Sequence, residues 1–395
     1  MQNEFSVAAH WSGGFDETGL ETWARELLRR LGSRPASLGL VFMSPHFFPH
    51  AEQVLEIVRV HAETPLLAGC SSSGLIARAD EMENDSGLVL GLFSLPGAVL
   101  SGIRFSQEQV EEANGPGYWH LETGIQPEGT NGLLAFVDPF QTDAERWLRG
   151  WNEAYASIPI VGGLASGSSS ERMTQVYLNG EVFVEGGVAI ALHGEVGLAG
   201  VISQGCTPIG QSWTITRVDE NRIHEIGNRP AYEVLVDTVN SLSAGERQRA
   251  QGNLFVGFAV NEYLDDFHRG DFLIRNLTGV DPRSGIIAVG AYPRSGQTIQ
   301  FQCRDATAAT EDMEAMLARV RKQLDSGKIL GGCLCVCNGR GQYLFGRPSH
   351  DAEMVQQRLG PLGLAGFFCN GEIGPVGGRN YLHGFTASLA LFVKA

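Results

Sequence analysis

The sequence predicts an α+β fold: duplicated strand-helix-strand units with mixed or antiparallel sheets covered by helices, compatible with an αββα layering. Three observations predict it. Residues 38–76 and 132–167 share one layout: an apolar strand ending in Pro plus an aromatic, a helix, a Pro-apolar-apolar step and a Gly-rich loop. The last third of the chain repeats the order strand, helix, strand with Gly loop, strand. Glycine, at 51 of 395 residues, has no triplet period, which excludes collagen and points to many tight turns.

The first unit opens with LGLVFM and continues into a helix carrying the stripe Val54, Leu55, Val58. In the second, GLLAFV precedes a helix with Trp147, Leu148 and Trp151 on one face and Asp143 at its N-cap. Each unit is followed by an apolar strand able to return beside the first, 87–95 and 186–194. LNGEVFVEGG reads as a hairpin turn with a short strand. Further on, 231–243 is a helix and 253–262 a strand. Residues 286–305 read as two strands around a Ser-Gly turn. Residues 309–325 form a helix with Met313, Met316, Leu317, Val320 and Leu324 as its buried stripe. GGCLCVCN is a strand, HDAEMVQQRLG a helix, LAGFFCNGEIGP a strand plus loop, and YLHGFTASLALFV one final strand. A domain boundary is expected within 205–230.

The net charge of −15 and pI near 5.1, with no Lys/Arg run, argue against nucleic acid and anionic membrane surfaces as partners. No apolar run spans a bilayer, and the N-terminus has no signal-peptide pattern, so a cytoplasmic location is expected. Seven cysteines without a CxxC pair read as free thiols. Cys333, Cys335 and Cys337 share one strand face and read as a packed core row, with soft-metal binding the alternative.

Two Gly-rich loops end strands: GCSSSGLI at 69–76, offering Cys70 and the hydroxyls of Ser71, Ser72 and Ser73, and VGGLASGSSS at 161–170, offering Gly162 and Gly163. Exposed amides and hydroxyls there suit an anion or carboxylate. Neither is a Walker loop or a nucleophile elbow. In GFFCNGEIGPVGGRN, Asn370 and Glu372 sit among glycines. Glu372 in a poorly charged region wants a partner: Arg379 across the loop, or a ligand ammonium, with Arg347 or Arg379 taking the ligand's carboxylate. His268, His350 and His383 are single candidates for a haem iron.

The chain resembles FIST-domain proteins through GCSSSGLI, PIVGGLASG and above all FFCNGEIGPVGGRNYLHGFTASLALF. The resemblance implies a FIST N-like domain at 25–215 and a FIST C-like domain at 216–395, after an N-terminal segment 1–24. It implies an intracellular sensory or signal-transduction protein that binds a small ligand, an amino acid or small carboxylate, and passes its signal to a separate protein. Two alternatives come with it: a haem-binding nitric oxide sensor, or an enzyme acting on a small metabolite through Glu372. An F-box branch exists in the family, but its ubiquitin role is not expected here. The resemblance brings no defined catalytic residues.

Overall fold

The computed structural model describes residues 3–83, 85–167, 172–264, 266–324 and 329–394. It contains two compact units. The first comprises residues 1–202, 314–382 and 386–395; the second comprises 203–313 and 383–385.

The first unit holds three six-stranded sheets of one design. Sheet one runs, edge to edge, β1 (Ser6–Ser12), β6 (Gly87–Phe93), β2 (Leu38–Met43), β3 (Leu67–Ser71), β10 (Val176–Leu178) and β11 (Glu181–Phe183). Sheet two runs β7 (Ala98–Phe105), β12 (Gly187–Gly194), β8 (Thr130–Val137), β9 (Ile160–Leu164), β23 (Glu372–Val376) and β24 (Arg379–His383). Sheet three runs β13 (Val196–Ser203), β25 (Ala387–Lys394), β21 (Ile329–Cys337), β22 (Leu364–Cys369), β4 (Gly74–Ala77) and β5 (Asp80–Glu83).

The pairing pattern repeats as well. The third and fourth strands of each sheet are parallel, and the return strand β6, β12 or β25 lies antiparallel to the third. A helix makes each parallel crossover: α2 (Ala51–His61), α5 (Ala144–Ala154) and α10 (His350–Leu359). Each repeat then gives away its hairpin. β4–β5 of the first repeat completes sheet three, β10–β11 of the second completes sheet one, and β23–β24 of the third completes sheet two. The exchange is cyclic.

The repeated sequence layout thus corresponds to three structural repeats. The apolar alternation of their strands has a plain cause. Leu40, Phe42, Ala68, Cys70, Leu134, Phe136, Val161, Cys333, Cys335, Ala365 and Phe367 face one shared core. The opposite faces are covered by helices. Against sheet one pack Leu20, Ala24 and Leu27 of α1 (Glu17–Arg30) and Val54, Leu55 and Val58 of α2. Against sheet two pack Trp147, Leu148 and Trp151 of α5 and Trp119 of α4 (Pro116–Thr123), which follows the short α3 (Gln107–Glu112). Asp143 caps α5 by accepting from Arg146 N, as expected. Cys333 and Cys335 lie in the core row, fully buried.

Glycine fixes the parallel pairs at three equivalent positions. A Cβ on Gly69, Gly162 or Gly366 would stand 1.7, 1.9 or 2.0 Å from the carbonyl oxygen of Val41, Ala135 or Leu334 on the neighbouring strand. Gly162 also has φ +148°. Gly162→Ala is therefore expected to lower stability by about 1–3 kcal/mol, read as a lower urea midpoint. An unchanged midpoint would contradict this close approach.

The second unit is one seven-stranded sheet: β14 (Cys206–Asp219), β20 (Thr298–Arg304), β17 (Leu254–Ala259), β18 (Phe272–Asp281), β19 (Ile286–Val289), β15 (Arg222–Ile226) and β16 (Arg229–Pro230). Val234 and Leu235 of α6 (Ala231–Ser241) cluster with Ile215, Val256, Ile287 and Phe301 of that sheet. A capping box between Ser243 and Glu246 starts α7 (Ala244–Ala250). The two strands expected in 286–305 exist as β19 and β20 but do not pair with each other. The long helix is α8 (Ala306–Gln323), with Met313, Leu317 and Val320 buried; Asp325 lies outside the described residues. The expected single final strand is divided, because Phe385 takes φ +64° between β24 and β25.

No helix among the described residues is long and apolar enough to cross a membrane.

Candidate functional site

Beyond each glycine step of the parallel strands the chain enters a loop, and the three loops meet. Counting from Gly69, Gly162 and Gly366, the residues four positions on are Ser73, Ser166 and Asn370. Ser73 N donates to Ser166 Oγ at 2.9 Å, and the two hydroxyls are 3.2 Å apart. Asn370 Nδ2 donates to Ala165 O at 3.0 Å, and Asn370 N to Leu164 O at 3.1 Å. Leu164 N donates to Gly371 O at 2.8 Å. The loops are thereby tied to one another rather than each to itself.

The hydroxyls just inside this ring hold it. Ser71 Oγ donates to Ser166 O at 2.8 Å, and Ser72 Oγ approaches Phe368 O at 2.9 Å. Both serines are fully buried. Beneath the loops, Phe42 of β2, Phe136 of β8 and Phe367 of β22 contact one another, with centroids 4.8–5.7 Å apart. The loops close over an aromatic floor.

The outer side of the ring is open. Ser73, Asn338 and Asn370 are exposed. Asn338 Oδ1 accepts from Ser73 Oγ at 2.9 Å, and its Nδ2 donates to Asn370 Oδ1 at 2.9 Å. Beside them is a hollow of ≈ 160 Å³ lined by Ser73, Gly74, Glu83, Asn338 and Phe368. Glu83 Oε1 accepts from Gln342 N at 2.7 Å, just after Gly341, whose positive φ of 63° begins α9 (Gly341–Phe345). The hollow therefore offers hydroxyl, amide and carboxylate groups at once.

Glu372 lies behind the ring, wholly buried. Thr386 N donates to its Oε2 at 3.0 Å, Thr386 Oγ1 also bonds Oε2, and Cys369 Sγ donates to Oε1 at 3.1 Å. Burial raises its carboxyl to about 7, against the opposing pull of those hydrogen bonds. Burial, with the Glu372 charge second, pushes the Cys369 thiol well above its ordinary value. The expected Glu372–Arg379 pair is not formed, because the carboxylate points inward from β23. Arg379 stands exposed at the start of β24, with its guanidinium over Tyr381.

A second polar knot flanks the hollow. Arg340 and Asp351 form a bidentate ion pair, Nε to Oδ2 at 2.8 Å and Nη2 to Oδ1 at 2.9 Å, with both side chains inaccessible. His350 Nδ1 is 3.0 Å from Asp351 Oδ1, and its ring stacks on Phe345. Burial opposes the Asp351 charge, but the Arg340 guanidinium and the His350 contacts carry its carboxyl well below the usual range. Nearby Glu81 accepts from Ala352 N at 2.8 Å through Oε1. Burial and the Asp351 charge raise it to about 8.

Of the residues singled out in the sequence, the fold gathers Ser71, Ser72, Gly162, Gly163, Asn370 and Glu372 around one point. Gly163 pairs directly with Glu372 across β9 and β23. Cys70 is in the apolar core. Arg347 is paired with Glu353 at 2.7 Å and, like Arg379, does not line the hollow. Sequence reasoning missed Ser166, Asn338 and Glu83; of the three hydroxyls it read in the first loop, Ser73 is the one that lines the hollow. The repeat register was the available signal, since it makes Ser73, Ser166 and Asn370 equivalent. Ser168, Ser169 and Ser170 lie outside the described residues. Among the histidines, His268 is largely exposed, whereas His350 and His383 are buried. The described residues contain no group of three His, Cys, Asp or Glu placed to hold a metal ion.

Residues 37–229 match the FIST N domain and residues 231–375 the FIST C domain. An uncharacterized protein of Mycobacterium tuberculosis is 37% identical over 372 residues, 94% of each chain. An uncharacterized protein of Mycobacterium bovis is 36% identical over 365 residues, 92% of each. An F-box/LRR-repeat protein of Arabidopsis thaliana is 30% identical over 105 residues, 26% of this chain and 20% of that one. The solved cyanuric acid hydrolase of A. caulinodans is 8% identical, with 98% of this chain and 99% of that one covered, at a TM-score of 0.33. That score is too low to carry an argument.

Proposed function

Since the chain belongs to the FIST family, whose members are sensory and bind small molecules, we propose that its ligand site is the mouth where the three repeat loops meet. The ligand in this reading is a small polar molecule bearing an amino group, an amino acid being the simplest case. The observation that carries the reading is the hollow beside Ser73, with Glu83 as the charged side chain in its lining. A carboxylate there attracts an ammonium and repels a simple anion. The Ser73 hydroxyl and Asn338 amide supply donors for the ligand's own carboxylate. A volume near 160 Å³ suits a compact metabolite rather than a nucleotide.

Ser71, Ser72, Gly162, Gly163, Asn370 and Glu372 then frame the mouth, and Cys70 belongs to the packing beneath it. Arg347 and Arg379 take no part. Ligand binding would favour one arrangement of loops drawn from three repeats, and the signal would pass to a separate protein.

Thermal melts with amino acids, simple amines and small carboxylates test this. An amine-bearing ligand should raise the midpoint by mass action. Glu83→Gln keeps an acceptor for Gln342 N but removes the charge, and should weaken that ligand by at least about tenfold. Equal response in Glu83→Gln, or silence across every amine, would sink the reading.

A further inference from the structure

The exchanged hairpins turn at equivalent residues: Arg78, Asn179 and Gly377. All three have left-handed backbone, with φ of +59°, +56° and +60°. Asparagine and glycine suit that conformation; a long side chain does not. The main chain does the same work in two of these turns. Arg78 N donates to Leu364 O at 2.7 Å, and Asn179 N donates to Leu67 O at 2.6 Å. The asparagine adds a further bond, accepting from Leu67 N at 3.2 Å. Nothing in the turn itself calls for an arginine, and strain retained at one of three equivalent positions points to another use.

A hollow of ≈ 240 Å³ lies beside the turn, lined by Arg78 together with Asn3, Ser6, Arg30, Gln356 and Gly363. The Arg78 guanidinium has no hydrogen-bond or ion-pair partner among the described residues. Arg30 is half exposed and reaches Glu26 at 2.6 Å. Ser6 is buried, and its Oγ accepts from Gly363 N at 3.0 Å. Among the described residues, the lining carries two guanidinium groups and no carboxylate, which makes the hollow locally positive on a chain of net charge −15.

We propose that this hollow is an oxyanion subsite, binding the carboxylate or phosphate group of a compact ligand through the Arg78 fork, with Arg30 at its rim. Its charge preference is opposite to that of the three-loop mouth, and it stands or falls independently of that site.

The test uses the full chain, melted in inorganic phosphate, in succinate and in sodium chloride of matched ionic strength. Phosphate or succinate should raise the midpoint beyond chloride; a response to one alone assigns the phosphoryl or the carboxylate source. Arg78→Asn restores the residue type of the equivalent turn, so without anion it should melt at or above the wild type. It should also bind the anion at least about tenfold more weakly. Arg78→Gly serves the same purpose should the asparagine variant fail to fold. The proposal is overturned if neither anion exceeds chloride, if the variant keeps the response, or if both variants are less stable than the wild type, which would make Arg78 a structural residue.

Discussion

Asp351→Ala is expected to destabilise the protein by about 3–5 kcal/mol, the largest single effect of any substitution considered. The alanine leaves the Arg340 guanidinium inaccessible to water and without its bidentate partner. The cost is mainly that of a buried charge stripped of its bidentate carboxylate, not of the lost attraction. Exchanging both residues together, as in Arg340→Met with Asp351→Leu, should therefore be milder than Asp351→Ala alone. Urea unfolding of the three proteins checks this. A single variant within about 1 kcal/mol of wild type would mean that the pair is hydrated in solution.

The second large effect is a pH dependence set by Glu372. Its carboxyl stands at about 7 in the folded protein against an ordinary value of 4.5, chiefly because it is buried. A raised carboxyl favours the protonated folded state. The contribution is full below about pH 4.5 and is lost as pH rises through 7, amounting to about 3 kcal/mol. Glu81, raised to about 8, acts in the same direction to slightly higher pH. Asp351 acts in the opposite sense, since its lowered carboxyl stabilises the fold at neutral pH and loses that effect only in strong acid. Glu372→Gln should flatten the fall in urea midpoint between pH 4.5 and 7, leaving the part due to Glu81. Superimposable pH profiles for the two proteins would show that Glu372 does not titrate in this range.

Much of this architecture was legible in the residues. The repeat layout, the helices under Val54 and Trp147, the Asp143 cap and the α+β class all follow from local periodicity and turn chemistry, and the structure contains them. The split of the last strand at Phe385 escaped notice because phenylalanine gives no warning of left-handed backbone. The site was half legible. Glycine-rich loops at strand ends marked where Ser71, Ser72, Asn370 and Glu372 would be, since loops with spare amides announce themselves. Their meeting point was not legible, because it depends on hairpins that leave their own repeat. No local pattern in 74–83 says that β4 will pair with β22 and carry Glu83 to the edge of Asn338. Glu372 drew attention as a charge in an apolar setting, and its partners are a threonine and a thiol rather than an arginine, because at 0% exposure hydrogen bonds from within the fold reach it first.

The cyclic trade of hairpins has a consequence for synthesis on the ribosome. When the first repeat emerges, its β4–β5 arm has no dock, because β22 belongs to the third repeat and is translated much later. The nascent protein must hold an unsatisfied strand edge in water until the carboxyl-terminal repeat arrives, the kind of surface that invites aggregation or chaperone capture. Folding yield in the cell should thus depend on how quickly translation reaches the third repeat.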